Sequence, residues 1–185
     1  PPVARPRPRR AFSGDNRGDM KRFFLLFIGI QLVLFGLELL KPVQEHVVVP
    51  FTTQLARFCS ALISTFDSTA IASGKVLMDP ASGFAVSIEA GCNGVEACIV
   101  LFAAIVAFPA RWRDRLIGLA AGFVAVQALN VVRIISLFYL GQWNFAWFEF
   151  AHHYLWQGLI MLDVLVVFLV WARYFPQKMV GAHAA

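Results

Sequence analysis

Long unbroken apolar runs, rather than strict alternation, dominate the pattern of this chain. Four of them, at about 23–40, 93–109, 116–140 and 154–174, are long enough to cross a hydrocarbon core of roughly 30 Å at about 1.5 Å per residue. A fifth run, 47–66, is apolar but interleaved with Thr52, Thr53, Gln54, Arg57, Ser60, Ser64 and Thr65. That mixture suits a helix lying in the membrane interface or half inserted. Between the fifth run and the next span, Asp79-Pro80-Ala81-Ser82-Gly83 separates two short extended stretches, 74–78 and 84–88, the signature of a β-hairpin. The pattern predicts an all-α polytopic membrane protein: about four transmembrane helices, one interfacial or half-inserted helix and a short extracytoplasmic β-hairpin.

Composition agrees. Hydrophobic residues make up 59% of the 185 positions and charged residues 15%, with a mean hydropathy of +0.68. Soluble domains are less apolar and more charged. The net charge of +5 does not point to nucleic acid, because Arg5, Arg7, Arg9, Arg10 and Arg17 crowd the leading tail and most other cations flank apolar runs. Cations so placed set membrane topology. Residues 1–19 are rich in Pro, Arg and Gly and are expected to be disordered. Met20-Lys21-Arg22 and the apolar run after it have the form of a natural start and an uncleaved signal anchor, so an extension is one expectation for the upstream tail. A single membrane-embedded unit is expected over 20–176, followed by a short cytoplasmic tail at 177–185.

Charge also orients the spans. The loop Arg111–Arg115 and the N-terminal basic cluster both belong on the cytoplasmic side. The first helix then leaves the cytoplasm, segment 43–91 lies wholly outside it, and the run beginning near Cys92 returns. The outer end of 116–140, with Arg133, and the start of the last span, with His152 and His153, fall on the same outer face as Cys92. Only then does the chemistry of these residues become a joint question.

Three cysteines cannot all pair within one chain. Cys59 and Cys98 lie inside apolar stretches and read as packing residues, whereas Cys92 stands at a helix boundary between Gly91 and Asn93-Gly94. Its expected place is the first helical turn, where unpaired N–H groups and the helix dipole favour a thiolate. A boundary cysteine without a role is the alternative. Glu96, one turn deeper on the same face, needs a partner, and Arg133 is the obvious one. With Gln127 and Asn130, Arg133 forms a polar stripe on one helix face, and a charge inside a membrane helix is costly enough to mark function by default. Snorkelling to the surface, or a plain Arg133–Glu96 ion pair, would also account for it. Two successive histidines point about 100° apart on a helix, so one of His152 and His153 is expected to face the site, with a slight lean to His152. An ordinary imidazole pKa of about 6.5 suits proton transfer at neutral pH.

Asp163, deep in the last span, is expected to make a buried structural hydrogen bond. Trp143, Trp147, Trp156, Tyr139 and Tyr154 are expected to form an interfacial aromatic belt. Metal binding is disfavoured: no H-E-x-x-H or Cys-x-x-Cys pairing occurs, and a guanidinium nearby repels a cation. No cofactor is expected.

The ordered set Glu89-Ala90-Gly91-Cys92-Asn93-Gly94, Asn130-Val131-Val132-Arg133 and His152-His153 resembles the exosortase/archaeosortase family over roughly 85–175, and the segment Ala151–Gln157 looks most like the exosortase H subgroup. The resemblance implies a membrane-embedded, cysteine transpeptidase-like enzyme of Gram-negative bacteria, set in the inner membrane with its site facing the periplasm. It implies a protein substrate with a C-terminal sorting signal made of a short motif, a membrane helix and a basic tail; for subgroup H the motif is of the IPTL-x-x-W-G kind. Carried over residue by residue, Cys92 matches the nucleophile, Arg133 the essential arginine and one of His152/His153 the histidine. Glu96 and Asn130 stand beside these as supporting or substrate-binding candidates. Many members have more membrane helices than the four or five available here, so the N-terminal half departs from the pattern.

The expected function is therefore a membrane cysteine peptidase/transpeptidase that cleaves sorting signals through a Cys92 thioester. The competing class is a non-enzymatic assembly scaffold or transporter subunit, in which the same polar residues would hold helices together. A phospholipid-modifying enzyme is weaker still, for want of a metal set or phosphate cradle.

Overall fold

A computed structural model describes residues 16–67 and 70–174. Helix α1 (Asn16–Glu38) leads through a one-turn α2 (Lys41–Val43) and a π-helical turn, Gln44–Val48, into α3 (Val49–Ile63). Strands β1 (Ile71–Ser73), β2 (Val76–Asp79) and β3 (Phe84–Ser87) follow, then α4 (Val95–Ala107), α5 (Trp112–Trp143), α6 (Phe145–Phe150), a π-helical turn at Ala151–Leu155, and α7 (Trp156–Tyr174). The polytopic helical class is as the apolar runs indicate. Helix α1 begins at Asn16, inside the segment expected to be a disordered tail; residues 1–15 and the expected tail at 177–185 lie outside the described residues.

Three described helical stretches are long and apolar enough to cross a membrane: Met20–Glu38, Trp112–Trp143 and Phe145–Tyr174. The expected fourth span is shorter than its apolar run. Gly91 and Gly94 adopt φ of +83° and +76°, so helix α4 starts only at Val95 and stops at Ala107, just before Phe108-Pro109. A proline there disfavours helix in the residue before it. The thirteen residues of α4 reach only about 20 Å at about 1.5 Å per residue, and α4 packs against α1, α5 and α7.

Helix α3 is amphipathic as its pattern indicates. Thr52, Leu55, Ala56, Cys59 and Ile63 face inward, while Phe58 and Leu62 are exposed. The expected hairpin is present as β2 and β3, paired Val76↔Ser87 through Asp79↔Phe84. A third strand, β1, joins β2 antiparallel; three residues of Ile-Ala-Ser carry too little alternation to announce it.

Two larger apolar cores and a smaller one around Leu137, Ala151 and Trp156 hold the molecule together. One larger core gathers α3, the sheet and the C-terminal half of α5 around Leu55, Cys59, Ile63, Leu77, Ile134 and Phe138. The other gathers α4, α5 and α7 around Leu101, Ile105, Val126, Ile160, Val164 and Trp171. The indole of Trp171 donates to the carbonyl of Asp114 at 2.8 Å, over Gly118, where any side chain would collide with that ring. That contact joins the start of α5 to the end of α7. At the other end the segment 91–98 runs along the seam between the cores, since Cys92 packs on the first and Cys98 on the second.

Candidate active site

Four elements deliver the polar residues of the seam: the segment before α4 brings Cys92, α5 brings Arg133, the π-helical turn brings His152, and the end of α1 brings Glu38. Arg133 is 2% exposed, a buried cation within an apolar helix bundle. Its Nη1 donates to the carbonyl of Gly91 at 3.2 Å and its Nη2 to Cys92 Sγ at 3.5 Å. His152 Nε2 stands 4.0 Å from the same sulfur, a long contact of the kind that tightens when substrate fills a site. One thiol thus lies between a guanidinium and an imidazole.

His152 and His153 separate as neighbours on a helical turn should. The His152 ring is partly buried and stacks on Phe148 at 5.6 Å with an interplanar angle of 2°. His153 is exposed and meets His152 edge-on at 4.9 Å. The Nδ1 of His152 is buried with no partner among the described residues, so its orientation comes from Phe148 rather than from an acidic third residue.

Cys92 itself departs from expectation. It precedes α4 instead of opening it: its N–H donates to the carbonyl of Glu89 at 2.9 Å, closing a turn, and Val95 is the first helical residue. Asn93 provides the cap-like contact, its Oδ1 accepting from Val95 N at 3.0 Å. The helix dipole therefore does not act on the sulfur from within the first turn. Burial pushes the Cys92 thiol above its ordinary value; the Arg133 guanidinium pulls it back, and the Glu96 and Glu89 carboxylates add to the rise. The resting residue is a thiol that needs a base.

Glu96 does not pair with Arg133. Its Oε1 accepts from the N–H of Gly91, and its carboxyl faces the buried carboxyl of Glu38 at the end of α1. Glu38 is not among the residues singled out from the sequence, although an acidic residue in an apolar run is itself a signal.

The remaining polar residues support the turn. Asn93, 1% exposed, donates to Thr52 Oγ1 at 3.1 Å, and Gln127 Nε2 reaches the Asn93 carbonyl at 3.3 Å. Asn130 is fully buried with neither amide atom partnered among the described residues. It lies against Gly94, where an added Cβ would stand 2.8 Å from Gln127 Nε2 and 3.2 Å from the Asn130 amide. Gly94 is thus required by its φ of +76° and by space alike.

Other expected features fall away from the site. Asp163 has a buried Oδ2 without a hydrogen-bond partner among the described residues, where a structural bond was expected. Trp143, Trp147 and Tyr154 are exposed as a belt requires, but Trp156 is 8% exposed and belongs to the core. Tyr139 is tied by its hydroxyl to Asp67 at 3.0 Å. Among the described residues no three His, Cys, Asp or Glu side chains converge to hold a metal ion.

A family model described as transmembrane exosortase matches residues 11–172. No curated protein and no solved structure matches the chain.

Proposed function

Because the chain belongs to the transmembrane exosortase family, we propose that it is a membrane cysteine peptidase/transpeptidase that cleaves C-terminal sorting signals of exported proteins. The observation that carries this reading is the placement of Cys92 Sγ 3.5 Å from Arg133 Nη2 and 4.0 Å from His152 Nε2.

In the proposed reaction, the Cys92 proton passes to His152 Nε2 as sulfur bonds to the scissile carbonyl carbon. The carbonyl oxygen takes up the negative charge. The Arg133 guanidinium, whose Nη2 already reaches the sulfur at 3.5 Å, is the donor proposed for this oxyanion. The carbon–nitrogen bond then breaks, and His152 returns its proton to the departing amine. The resulting Cys92 thioester is resolved by an amine acceptor or by water. His153, exposed and one position off, has no part in these transfers.

The substrate is proposed to carry a short motif, a membrane helix and a basic tail, with a motif of the IPTL-x-x-W-G kind. The substrate's own helix would then hold the motif at the bilayer surface, where the ends of α1, α5 and the start of α4 meet. The proposed location is the bacterial inner membrane with this end facing the periplasm, as the cations of Arg111–Arg115 and Lys21-Arg22 direct. The test is processing, in cells, of a reporter protein carrying such a C-terminal signal. Cells expressing the unaltered chain should release the shortened reporter and cells expressing Cys92→Ala should not. Equal processing by both would refute the reading.

A further inference from the structure

Helix α1 lies at the outside of the bundle. Its described side chains through Gly36 are exposed or half-exposed, with Leu25 74% and Leu32 69% exposed. Glu38 is the one buried residue of this helix among those described, 6% exposed. A lipid-facing helix that buries only a carboxyl group is doing so against its solvation cost. What Glu38 reaches is the Glu96 carboxyl, and no ion pair found among the described residues involves either group. Two carboxyls can hydrogen-bond to one another only with a proton between them, and the more buried of the two is the natural donor.

The other side of this contact is the Gly91 peptide. Its N–H is held by Glu96 Oε1 and its carbonyl by Arg133 Nη1 at 3.2 Å. The same guanidinium then reaches Cys92 Sγ. Gly91 has φ of +83° with open space around it, so its neighbours do not fix the peptide by packing, and polar anchors must do so. The carbonyl of Glu38 accepts from Gln44 Nε2 at 2.8 Å, which secures the end of α1 in turn.

We propose that Glu38 is a positioning residue for the Cys92 turn: it orients Glu96, Glu96 and Arg133 clamp the two ends of the Gly91 peptide, and the clamp sets where guanidinium and sulfur meet. This rests on the proposed function, since it gives α1 a part in the same reaction. What Glu38 must supply is a hydrogen-bond donor of the right length, not a negative charge. Glutamine meets that need, aspartate falls short by one methylene, and leucine has no donor.

The experiment uses the full chain in proteoliposomes with the sorting-signal reporter and the variants Glu38→Gln, Glu38→Asp and Glu38→Leu. Two readouts are taken: kcat and KM for reporter cleavage, and the rate at which N-ethylmaleimide labels Cys92, with Cys98 as internal reference. Glu38→Leu and Glu38→Asp should lower kcat on the order of tenfold with KM little changed. They should also slow labelling of Cys92 but not of Cys98. Glu38→Gln should restore most of both. Should the leucine variant fail to accumulate in the membrane, the aspartate–glutamine pair decides alone. Wild-type kcat in the aspartate or leucine variant, or a glutamine variant as impaired as they are, overturns the inference. Cleavage that persists in Cys92→Ala refutes the proposed function itself.

Discussion

The guanidinium of Arg133 spans Cys92 and the residue before it, with Nη2 3.5 Å from Cys92 Sγ and Nη1 3.2 Å from the carbonyl of Gly91. It therefore serves as both an electrostatic partner of the sulfur and a strut for the turn that carries it. Glutamine at this position would keep some capacity to donate hydrogen bonds and lose the charge.

That distinction sets a pH dependence. Burial raises the Cys92 thiol and Arg133 opposes the rise, so removing the cation makes the thiolate still harder to form. Maleimide labelling of Cys92 in the unaltered chain should keep increasing as pH passes the ordinary thiol range, about 8.5. In Arg133→Gln the whole curve should move to higher pH. A curve displaced to lower pH would contradict the electrostatic role.

The two histidines should behave differently despite being adjacent. His152→Ala removes the ring that stands 4.0 Å from the sulfur and should cut reporter cleavage by on the order of 10²-fold or more. His153→Ala should leave cleavage within a few-fold of the unaltered chain. Comparing the two rates at neutral pH checks the assignment, and a reversal of the order would undo it.

Thr52 offers a test of stability with little direct chemistry. In Thr52→Val the buried Asn93 Nδ2 loses the acceptor it now meets at 3.1 Å. Leaving such a donor unpaired should cost about 1–3 kcal/mol, seen as a lower midpoint of thermal unfolding in detergent. An unchanged midpoint would mean that Asn93 finds another acceptor.

Gly91 and Gly94 share a left-handed backbone but not their surroundings. Around Gly91 an added Cβ would meet nothing within 4 Å, while at Gly94 it would strike Gln127 at 2.8 Å. Gly91→Ala should therefore show only the backbone penalty, about 1–2 kcal/mol, and Gly94→Ala a larger loss. Thermal unfolding of the two variants side by side gives the comparison.

Much of this arrangement was legible in the chain because membrane burial makes polar residues conspicuous. Arg133, Asn130 and Glu96 stand out in apolar runs, and the basic loop at Arg111–Arg115 was enough to put Cys92, Arg133 and the histidines at one end of the bundle. Their convergence in space follows that order. Less legible were features decided by local backbone or by contacts distant in sequence. The positive φ at Gly91 and Gly94 delays the start of α4 and takes Cys92 out of the helix. The π-helical turn at Ala151–Leu155 decides which histidine turns inward. Thr52 and Glu38 meet partners 41 and 58 residues away (93 − 52 and 96 − 38), and no periodicity along the chain reports such pairings.

The central claim is that Cys92 becomes covalently bonded to the substrate. It is tested most directly by quenching a reaction of the full chain with the sorting-signal reporter and mapping the adduct by peptide mass. The account predicts a thioester between the reporter's cleaved carboxyl end and Cys92, released by hydroxylamine and absent from Cys92→Ala. An adduct on any other residue, or cleavage by Cys92→Ala at the unaltered rate, would contradict it.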